Sequence, residues 1–259
     1  MSIFYLMILI INNSNRNNDI KKFVEKHKST HSCKKKGSFK KKSKKIKQKK
    51  QKNTSSKTKK LTVRYLTDKL VNLMRTLDIN FKNIITTSDL IDVIQSKEKV
   101  TGIIISGSDM RFSFKDIPPH IIAHNIFSIE YFKDVPVFGI CFGFQFLNYY
   151  YNGVIVSQSG YSNKKHKVQI NTPGWFFKKE HSGKFNFFNR DVVINTGEGL
   201  NSIANLENDG VDVSVIIESN SDQRKFIGTQ FHPEISGYNG LKLFKDFIKL
   251  CGENYNDIL

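Results

Sequence analysis

The most constraining feature of this sequence is a strand, a tight turn and a helix encoded within Val135–Tyr151. The apolar run Val135–Ile140 is typical of a buried strand, and the apolar-rich Phe142–Tyr151 is predicted to be a helix. The turn reads Gly139-Ile140-Cys141-Phe142-Gly143, so a glycine lies two residues from the cysteine on each side. Small residues at these two positions allow a sharp strand-to-helix turn that exposes the central side chain. The segment therefore predicts a nucleophile elbow centred on Cys141.

The elbow has two chemical consequences. The Cys141 thiol would lie at a helix N-terminus, whose partial positive charge favours thiolate over thiol. The backbone N–H of Phe142 would have no acceptor within the helix and would point to where an oxyanion forms. The alternative is a buried, inert cysteine beside glycines of an ordinary turn, and a five-residue pattern alone does not exclude it.

A second motif supplies a base for the thiol. Gly228–Glu234 reads Gly-Thr-Gln-Phe-His-Pro-Glu and follows an apolar strand near Ile227. A nucleophilic thiol needs a group that takes its proton and later returns it to the departing amine, and His232 suits this task near neutral pH. Glu234 could fix the tautomer of His232 across the intervening proline. Taken alone, His-Pro-Glu is equally compatible with a turn that ends a strand.

The order of the predicted elements indicates an α/β fold. Strand and helix alternate through the first half, which favours an open, mostly parallel sheet flanked by helices. The second half is richer in strands, so an antiparallel portion is expected. The apolar run Ile3–Ile11 is read as a buried parallel strand, because it is too short to span a bilayer and lacks the features of a signal peptide. Further strands are predicted at Phe81–Thr86, Val100–Ser106, Val154–Ser157, Lys167–Ile170, Asp191–Asn195, Val211–Glu218 and Phe226–Gln230, and helices at Thr62–Leu77, Asp89–Gln95 and Leu241–Leu250.

The positive charge of the chain belongs to one segment. The whole sequence has a net charge of +18, and Lys21–Lys60 contains 19 lysines and a single acid, Glu25, so the remainder is balanced. Because this segment is poor in apolar residues, it is predicted to be a disordered insertion, at about residues 21–60, between the first strand and the first helix of a single domain, 1–259. It could contact nucleic acid, an anionic membrane or an acidic partner or act as a nuclear-localisation signal, or it could be a solvated insertion without a partner.

Three ordered segments resemble the class I glutamine amidotransferase family. They are the strand and glycine loop Gly102–Gly107, the elbow segment Pro136–Leu147, and Gly228–Glu234; Ile8–Asn13 also resembles the first strand of the family. The resemblance implies the flavodoxin-like, three-layer sandwich of that family. It covers most of the chain outside the lysine-rich segment.

The resemblance also implies a set of site residues. Cys141 would be the nucleophile, His232 the base and Glu234 its orienting carboxylate. Backbone N–H groups of Gly107 and Phe142 would form the oxyanion hole, and Gln145 would contact the bound glutamine. The loop departs from the family pattern after Gly107, where Ser108-Asp109 replaces the usual Gly-Pro.

The implied reaction is hydrolysis of the glutamine side-chain amide through a thioester, with ammonia passed to a separate synthase and with no cofactor. Two alternatives stay open: a hydrolase of γ-glutamyl peptides or related amides, and a non-catalytic scaffold whose lysine-rich segment binds nucleic acid or an acidic partner. No metal site is expected, since the histidines and cysteines lack paired ligand spacing. Three widely spaced cysteines favour a reducing, cytoplasmic setting.

Overall fold

A nine-stranded mixed sheet forms the centre of the computed structural model, which describes residues 7–12, 63–112, 122–157, 162–220 and 224–252. The strands of the described chain are β1 Met7–Ile11, β2 Phe81–Ile84, β3 Val100–Ile105, β4 Val137–Ile140, β5 Val154–Ser157, β6 Ser162–Val168, β7 Gly183–Phe188, β8 Asp191–Asn195, β9 Leu200–Asn208, β10 Val211–Ser219 and β11 Phe226–Thr229. The helices are α1 Val63–Thr76, α2 Thr87–Ser96, α3 Ile122–Ser128, α4 Phe142–Tyr150 and α5 Gly237–Leu250. The predicted insertion at about residues 21–60 lies outside the described residues.

The sheet has a parallel half and an antiparallel half. Its order is β2-β1-β3-β4-β11-β10-β8-β5, with β9 paired to β10, and β6 and β7 form a separate two-stranded sheet. The pairs β1–β2, β1–β3, β3–β4 and β4–β11 are parallel. The pairs from β11 through β10 and β8 to β5 are antiparallel, as is β9–β10. The predicted mixed, mostly parallel sheet flanked by helices is therefore confirmed.

Alternate residues of the central strands enter two apolar layers, one on each face of the sheet. In β1, Ile8 and Ile10 pack with residues of α1 and α5, whereas Leu9 and Ile11 pack with residues of α2 and α4. All five residues of β1 are buried, as expected for a strand of a parallel sheet covered on both faces. Because apolar layers cover both faces of the sheet, polar groups can gather at the edge formed by the carboxyl ends of the parallel strands.

Several predicted elements have different bounds in the structure. The strand predicted at Lys167–Ile170 is instead β6, which begins at Ser162 and ends at Val168. The last helix begins at Gly237 rather than at Leu241. Strands β7 and β9 and helix α3 are absent from the predicted elements, although Phe185 and Phe187 of β7 alternate with polar residues.

A buried carboxylate anchors the loop that precedes β7. Glu218, in β10, is 1% exposed and accepts backbone N–H groups from Trp175 at 2.6 Å and from Phe176 and Phe177 at 3.2 Å each. Trp175 also donates its indole N–H to the carbonyl oxygen of Ser219 at 2.6 Å. Three N–H donors around one carboxylate satisfy a charge that would otherwise be costly to bury.

We expect Glu218→Gln to lower the free energy of unfolding by roughly 2–3 kcal/mol, because an NH₂ group would face at least one backbone donor. Urea denaturation followed by circular dichroism measures this loss. Glu198→Gln, at an exposed glutamate, is the matched control and should change stability by less than about 0.5 kcal/mol. Equal stability of the two variants would contradict the anchoring role of Glu218.

Candidate active site

Three neighbouring parallel strands end at the candidate site. Strand β3 leads to Gly107, β4 leads to Cys141, and β11 leads to His232. The register pairs Ile105 with Gly139 and Thr229 with Ile140, so the three carboxyl ends lie side by side. The backbone N–H of Cys141 donates to the carbonyl oxygen of Thr229 at 2.8 Å, which joins the elbow to the strand that carries the histidine.

Cys141 has the backbone conformation that the elbow requires. Its φ of 53° and ψ of −97° lie outside the regions that ordinary residues prefer, a strain worth roughly 1–3 kcal/mol. A Cβ atom on Gly139 would lie 2.6 Å from the carbonyl group of Gly143. A Cβ on Gly143 would lie 2.9 Å from the carbonyl carbon of Ile105 and still closer to its oxygen. Both glycines are therefore needed for the close approach of β4, α4 and β3.

The imidazole of His232 and the carboxylate of Glu234 form a buried pair. Nδ1 of His232 lies 2.6 Å from Oε1 of Glu234, and the two side chains are 1% and 3% exposed. The backbone of His232 is held by a hydrogen bond from its N–H to the carbonyl oxygen of Asn186 and by one from the Ser236 hydroxyl to its own carbonyl. With the Nδ1 proton donated to Glu234, Nε2 is the ring atom left for the thiol.

The charges around His232 favour its protonated form. Burial alone lowers the pKa of His232, but the charges of Glu234 and Cys141 and hydrogen bonds to both outweigh it and raise the pKa to about 10. Nε2 of His232 is buried, and the interaction of the imidazole with Cys141 contributes to the raised pKa. The arrangement suits a thiolate beside an imidazolium.

This pair gives the folded protein a pH-dependent stability. Because the pKa of His232 is higher in the folded state than its ordinary 6.5, the stabilisation is complete below about pH 6.5 and is lost as the pH rises toward 10. We expect the stability of Glu234→Gln to decline less steeply with pH, since the main charge that raises the pKa of His232 is removed. Urea midpoints across that pH range measure it, and Glu198→Gln should keep the wild-type slope. A Glu234→Gln slope equal to that of the wild type would contradict the assignment.

The two residues predicted for the oxyanion hole border the thiol. A Cβ atom on Gly107 would lie 3.2 Å from Cε1 of His232 and 3.8 Å from Cβ of Cys141. Phe142 is the first residue of α4, so its backbone N–H has no acceptor within the helix. Its ring is buried and stacks on Phe112 with centroids 4.8 Å apart. The structure thus brings Gly107 and Phe142 to the same place as Cys141 and His232.

Gln145 also lies at the site, one helical turn after Cys141. Its side chain is 3% exposed, and its Nε2 donates to the carbonyl oxygen of Asp191 at 2.8 Å and to Oε1 of Gln230 at 3.0 Å. The amide nitrogen of Gln145, the residue predicted to contact glutamine, is therefore engaged by the protein itself.

Sequence reasoning did not identify three groups beside the site. Gln230 directs Nε2 to the Cys141 sulfur at 3.7 Å, and the carbonyl oxygen of Phe188 lies 3.6 Å from that sulfur. Asp191, 2% exposed in its side chain, pairs with Arg111 at 2.9 Å. Gln230 belongs to the Gly228–Glu234 motif and could have been singled out, whereas nothing in the sequence links Arg111 to Asp191.

Within the described ranges, no group of three or more histidine, cysteine or acidic side chains is arranged to hold a metal ion. Among the same residues, no helix is both long and apolar enough to cross a membrane.

Comparisons with known proteins point to one family. The sequence pattern of the glutamine amidotransferase class-I family matches residues 65–250. GMP synthase [glutamine-hydrolyzing] of Dictyostelium discoideum is 30% identical over 186 residues, which cover 65% of this chain and 24% of that protein. A separate subunit of the GMP synthase [glutamine-hydrolyzing] of Methanocaldococcus jannaschii is 26% identical over 175 residues, covering 66% of this chain and 85% of the subunit.

A solved structure has the same fold. A Thermoplasma acidophilum protein assigned as a subunit of GMP synthase superposes with a TM-score of 0.57 at 17% identity, covering 96% of this chain and 94% of that one. The chain spans about a quarter of the length of the Dictyostelium relative.

Proposed function

The chain belongs to the class-I glutamine amidotransferase family, and from this we propose that it hydrolyses the side-chain amide of glutamine through a thioester on Cys141. The observation that carries the proposal is the buried His232–Glu234 pair, 2.6 Å apart, directed at a cysteine on a strained elbow. A cysteine with an ordinary packing role would need neither the strain nor a neighbouring imidazole whose pKa is raised by a buried carboxylate.

In the first half of the proposed reaction, the Cys141 thiolate attacks the amide carbon of the glutamine side chain. Negative charge moves onto the carbonyl oxygen, where the backbone N–H groups of Gly107 and Phe142 stabilise it. The imidazolium of His232 then gives its proton to the departing amine. The C–N bond breaks, ammonia leaves, and a γ-glutamyl thioester remains on Cys141.

In the second half, neutral His232 takes a proton from a water molecule, which attacks the thioester carbonyl. The C–S bond breaks, glutamate leaves, and the thiolate and imidazolium are restored. Glu234 keeps the Nδ1 proton of His232 in place throughout and stabilises the imidazolium.

We further propose that the ammonia is passed to a separate synthase chain of the GMP synthase type. Support comes from the relatives, which are named as glutamine-hydrolysing GMP synthases, the Methanocaldococcus one as a separate subunit. These names favour an amidotransferase over a γ-glutamyl peptide hydrolase or a non-catalytic scaffold. A reducing, cytoplasmic location fits this role, because the nucleophilic Cys141 must stay a free thiol.

Release of ammonia and glutamate from glutamine by the purified chain tests the hydrolysis directly. Wild type should produce the two products in equal amounts, and Cys141→Ala should produce neither. Cys251→Ala is the matched control, since Cys251 is the other buried cysteine of the described chain and packs against Gly102 near the opposite end of β3. Undiminished release by a folded Cys141→Ala variant would contradict the proposal.

We also propose, from charge alone, that Lys21–Lys60 contacts nucleic acid or an acidic protein partner. Binding by a lysine-rich segment should weaken steeply with salt, because bound counterions are released. We expect deletion of residues 21–60 to abolish salt-sensitive binding to a nucleic-acid duplex or to polyglutamate and to leave glutamine hydrolysis within about twofold. Fluorescence anisotropy measures the binding, and equal affinity of the deletion variant and the wild type would refute the role.

A further inference from the structure

The side-chain amide that faces the nucleophile Cys141 belongs to Gln230 and not to Gln145, the predicted substrate contact. Gln230 follows β11, two residues before His232, and is 1% exposed. Its backbone N–H donates to the carbonyl oxygen of Val215 at 2.9 Å, so the residue is anchored to β10. Its Nε2 lies 3.7 Å from the Cys141 sulfur, which is within the range of an N–H···S hydrogen bond.

The orientation of this amide is determined by its neighbours. Nε2 of Gln145 donates to the carbonyl oxygen of Asp191 at 2.8 Å, and a backbone carbonyl can only accept. The same nitrogen donates to the amide of Gln230 at 3.0 Å, so the atom of Gln230 on that side must be its oxygen. The nitrogen of Gln230 is therefore left facing the sulfur of Cys141.

An N–H group in this position stabilises one protonation state of the Cys141 sulfur more than the other. A hydrogen bond to an anion is stronger than one to a neutral acceptor, and burial strengthens it further. The donor therefore favours the thiolate over the thiol. Unlike the imidazolium of His232, an amide keeps its N–H groups at every pH used by enzymes, so its effect persists after His232 has given up its proton.

We propose that Gln230 is a positioning residue that holds the Cys141 sulfur as a thiolate, and that Gln145 acts through Gln230 by fixing the direction of its amide. This inference rests on the proposed role of Cys141 as the nucleophile. It gives Gln145 a task within the protein, distinct from the contact with glutamine implied by the family resemblance.

The rate at which iodoacetamide alkylates Cys141, measured against pH, tests the inference without any need for turnover. Peptide mass spectrometry separates Cys141 from the other cysteines. We expect Gln230→Met, which keeps the shape and removes the donor, to move the midpoint of the alkylation profile upward by about one pH unit, a roughly tenfold smaller thiolate fraction at lower pH. Gln145→Met should move it in the same direction by less, because the Gln230 amide can then turn.

Two further variants make the result decisive. Gln230→Glu keeps the size and the acceptor but adds a negative charge, so its midpoint should also rise, and it replaces Gln230→Met should that variant fail to fold. Gln95→Met, at an exposed position of α2, is the matched control and should keep the wild-type midpoint. A wild-type midpoint in a folded Gln230 variant would overturn the inference, since a purely structural role would alter stability and leave the profile unmoved.

The outcomes for the two proposals are separable. A shifted midpoint in Gln230→Met together with wild-type protein that releases no ammonia would support the inference and count against the proposed hydrolysis. Ammonia release by the wild type with an unshifted midpoint in Gln230→Met would support the proposed hydrolysis and count against the inference about Gln230.

Discussion

Replacement of His232 by glutamine is expected to slow glutamine hydrolysis by about 10³-fold. Glutamine can hold a hydrogen bond to Glu234, but it cannot carry a proton to the departing amine. It also removes the imidazolium whose raised pKa of about 10 reflects the charges of Glu234 and Cys141. Initial rates at saturating glutamine measure the effect.

The structure offers a matched control for this variant in a second buried histidine. Nε2 of His181 lies 2.8 Å from Oδ2 of Asp246, and the His181 side chain is 3% exposed. Its Nδ1 accepts the backbone N–H of Lys178, so both ring nitrogens are used within the protein and the ring stacks on Phe176. Folded His181→Gln should therefore hydrolyse glutamine within about threefold of the wild type. If His181→Gln were slowed as much as His232→Gln, the loss at His232 would be structural, and the proton-transfer role of His232 would be contradicted.

Replacement of Gly143 by alanine is expected to destabilise the protein by about 3 kcal/mol and to abolish hydrolysis in the fraction that remains folded. The added methyl group would overlap the carbonyl group of Ile105, at the end of a central strand. Because backbone on both sides must move, the elbow at Cys141 would open. Chemical denaturation and activity of the same sample measure the two effects.

Gly210→Ala is the control that separates steric crowding by the added methyl group from the loss of backbone conformational freedom. Gly210 has a φ of 77° in the β9–β10 turn, and a Cβ atom there would meet nothing within 4 Å. Its replacement should cost only about 1–2 kcal/mol, the ordinary penalty for alanine in a left-handed conformation, and activity should persist. An unaffected Gly143→Ala variant would contradict the close approach of α4 and β3.

The central part of the fold could be predicted from the sequence because it is encoded by short, local patterns. Val137–Ile140 and Phe226–Thr229 are apolar runs that lie at the centre of the sheet, and each ends in a motif with recognisable turn chemistry. The mixed sheet could be expected for the same reason, since strands crowd the second half of the chain. The prediction of a single domain with an insertion at residues 21–60 stays a prediction.

Strands β6, β7 and β9 could not be predicted with the same success. In strand β9 buried and exposed positions do not alternate regularly, and asparagine, serine and glutamate are among its members, so its sequence alone resembles a loop. It forms because the long neighbouring strand β10 offers a full antiparallel partner. Strand β6 is rich in lysine, which disfavours a strand locally, and its pairing with β7 overrides that preference.

The site shows the same division. Cys141, His232 and Glu234 could be proposed from motifs because each lies at a fixed distance from a strand end. The contacts that orient them come from distant parts of the chain: the Arg111–Asp191 pair and the Gln145–Gln230 hydrogen bond each join residues that only the folded sheet brings together. A single sequence contains no signal for such tertiary pairs.

Covalent labelling by a diazoketone analogue of glutamine tests the nucleophilic role of Cys141 most directly, because it reports the reactive thiol without requiring a synthase partner. We expect the folded chain to gain one label on Cys141, excess glutamine to slow the labelling, and His232→Gln to slow it strongly. Cys251, buried elsewhere in the fold, should stay unlabelled. A folded chain whose Cys141 is not labelled, or is labelled no faster than Cys251, would contradict the proposed chemistry.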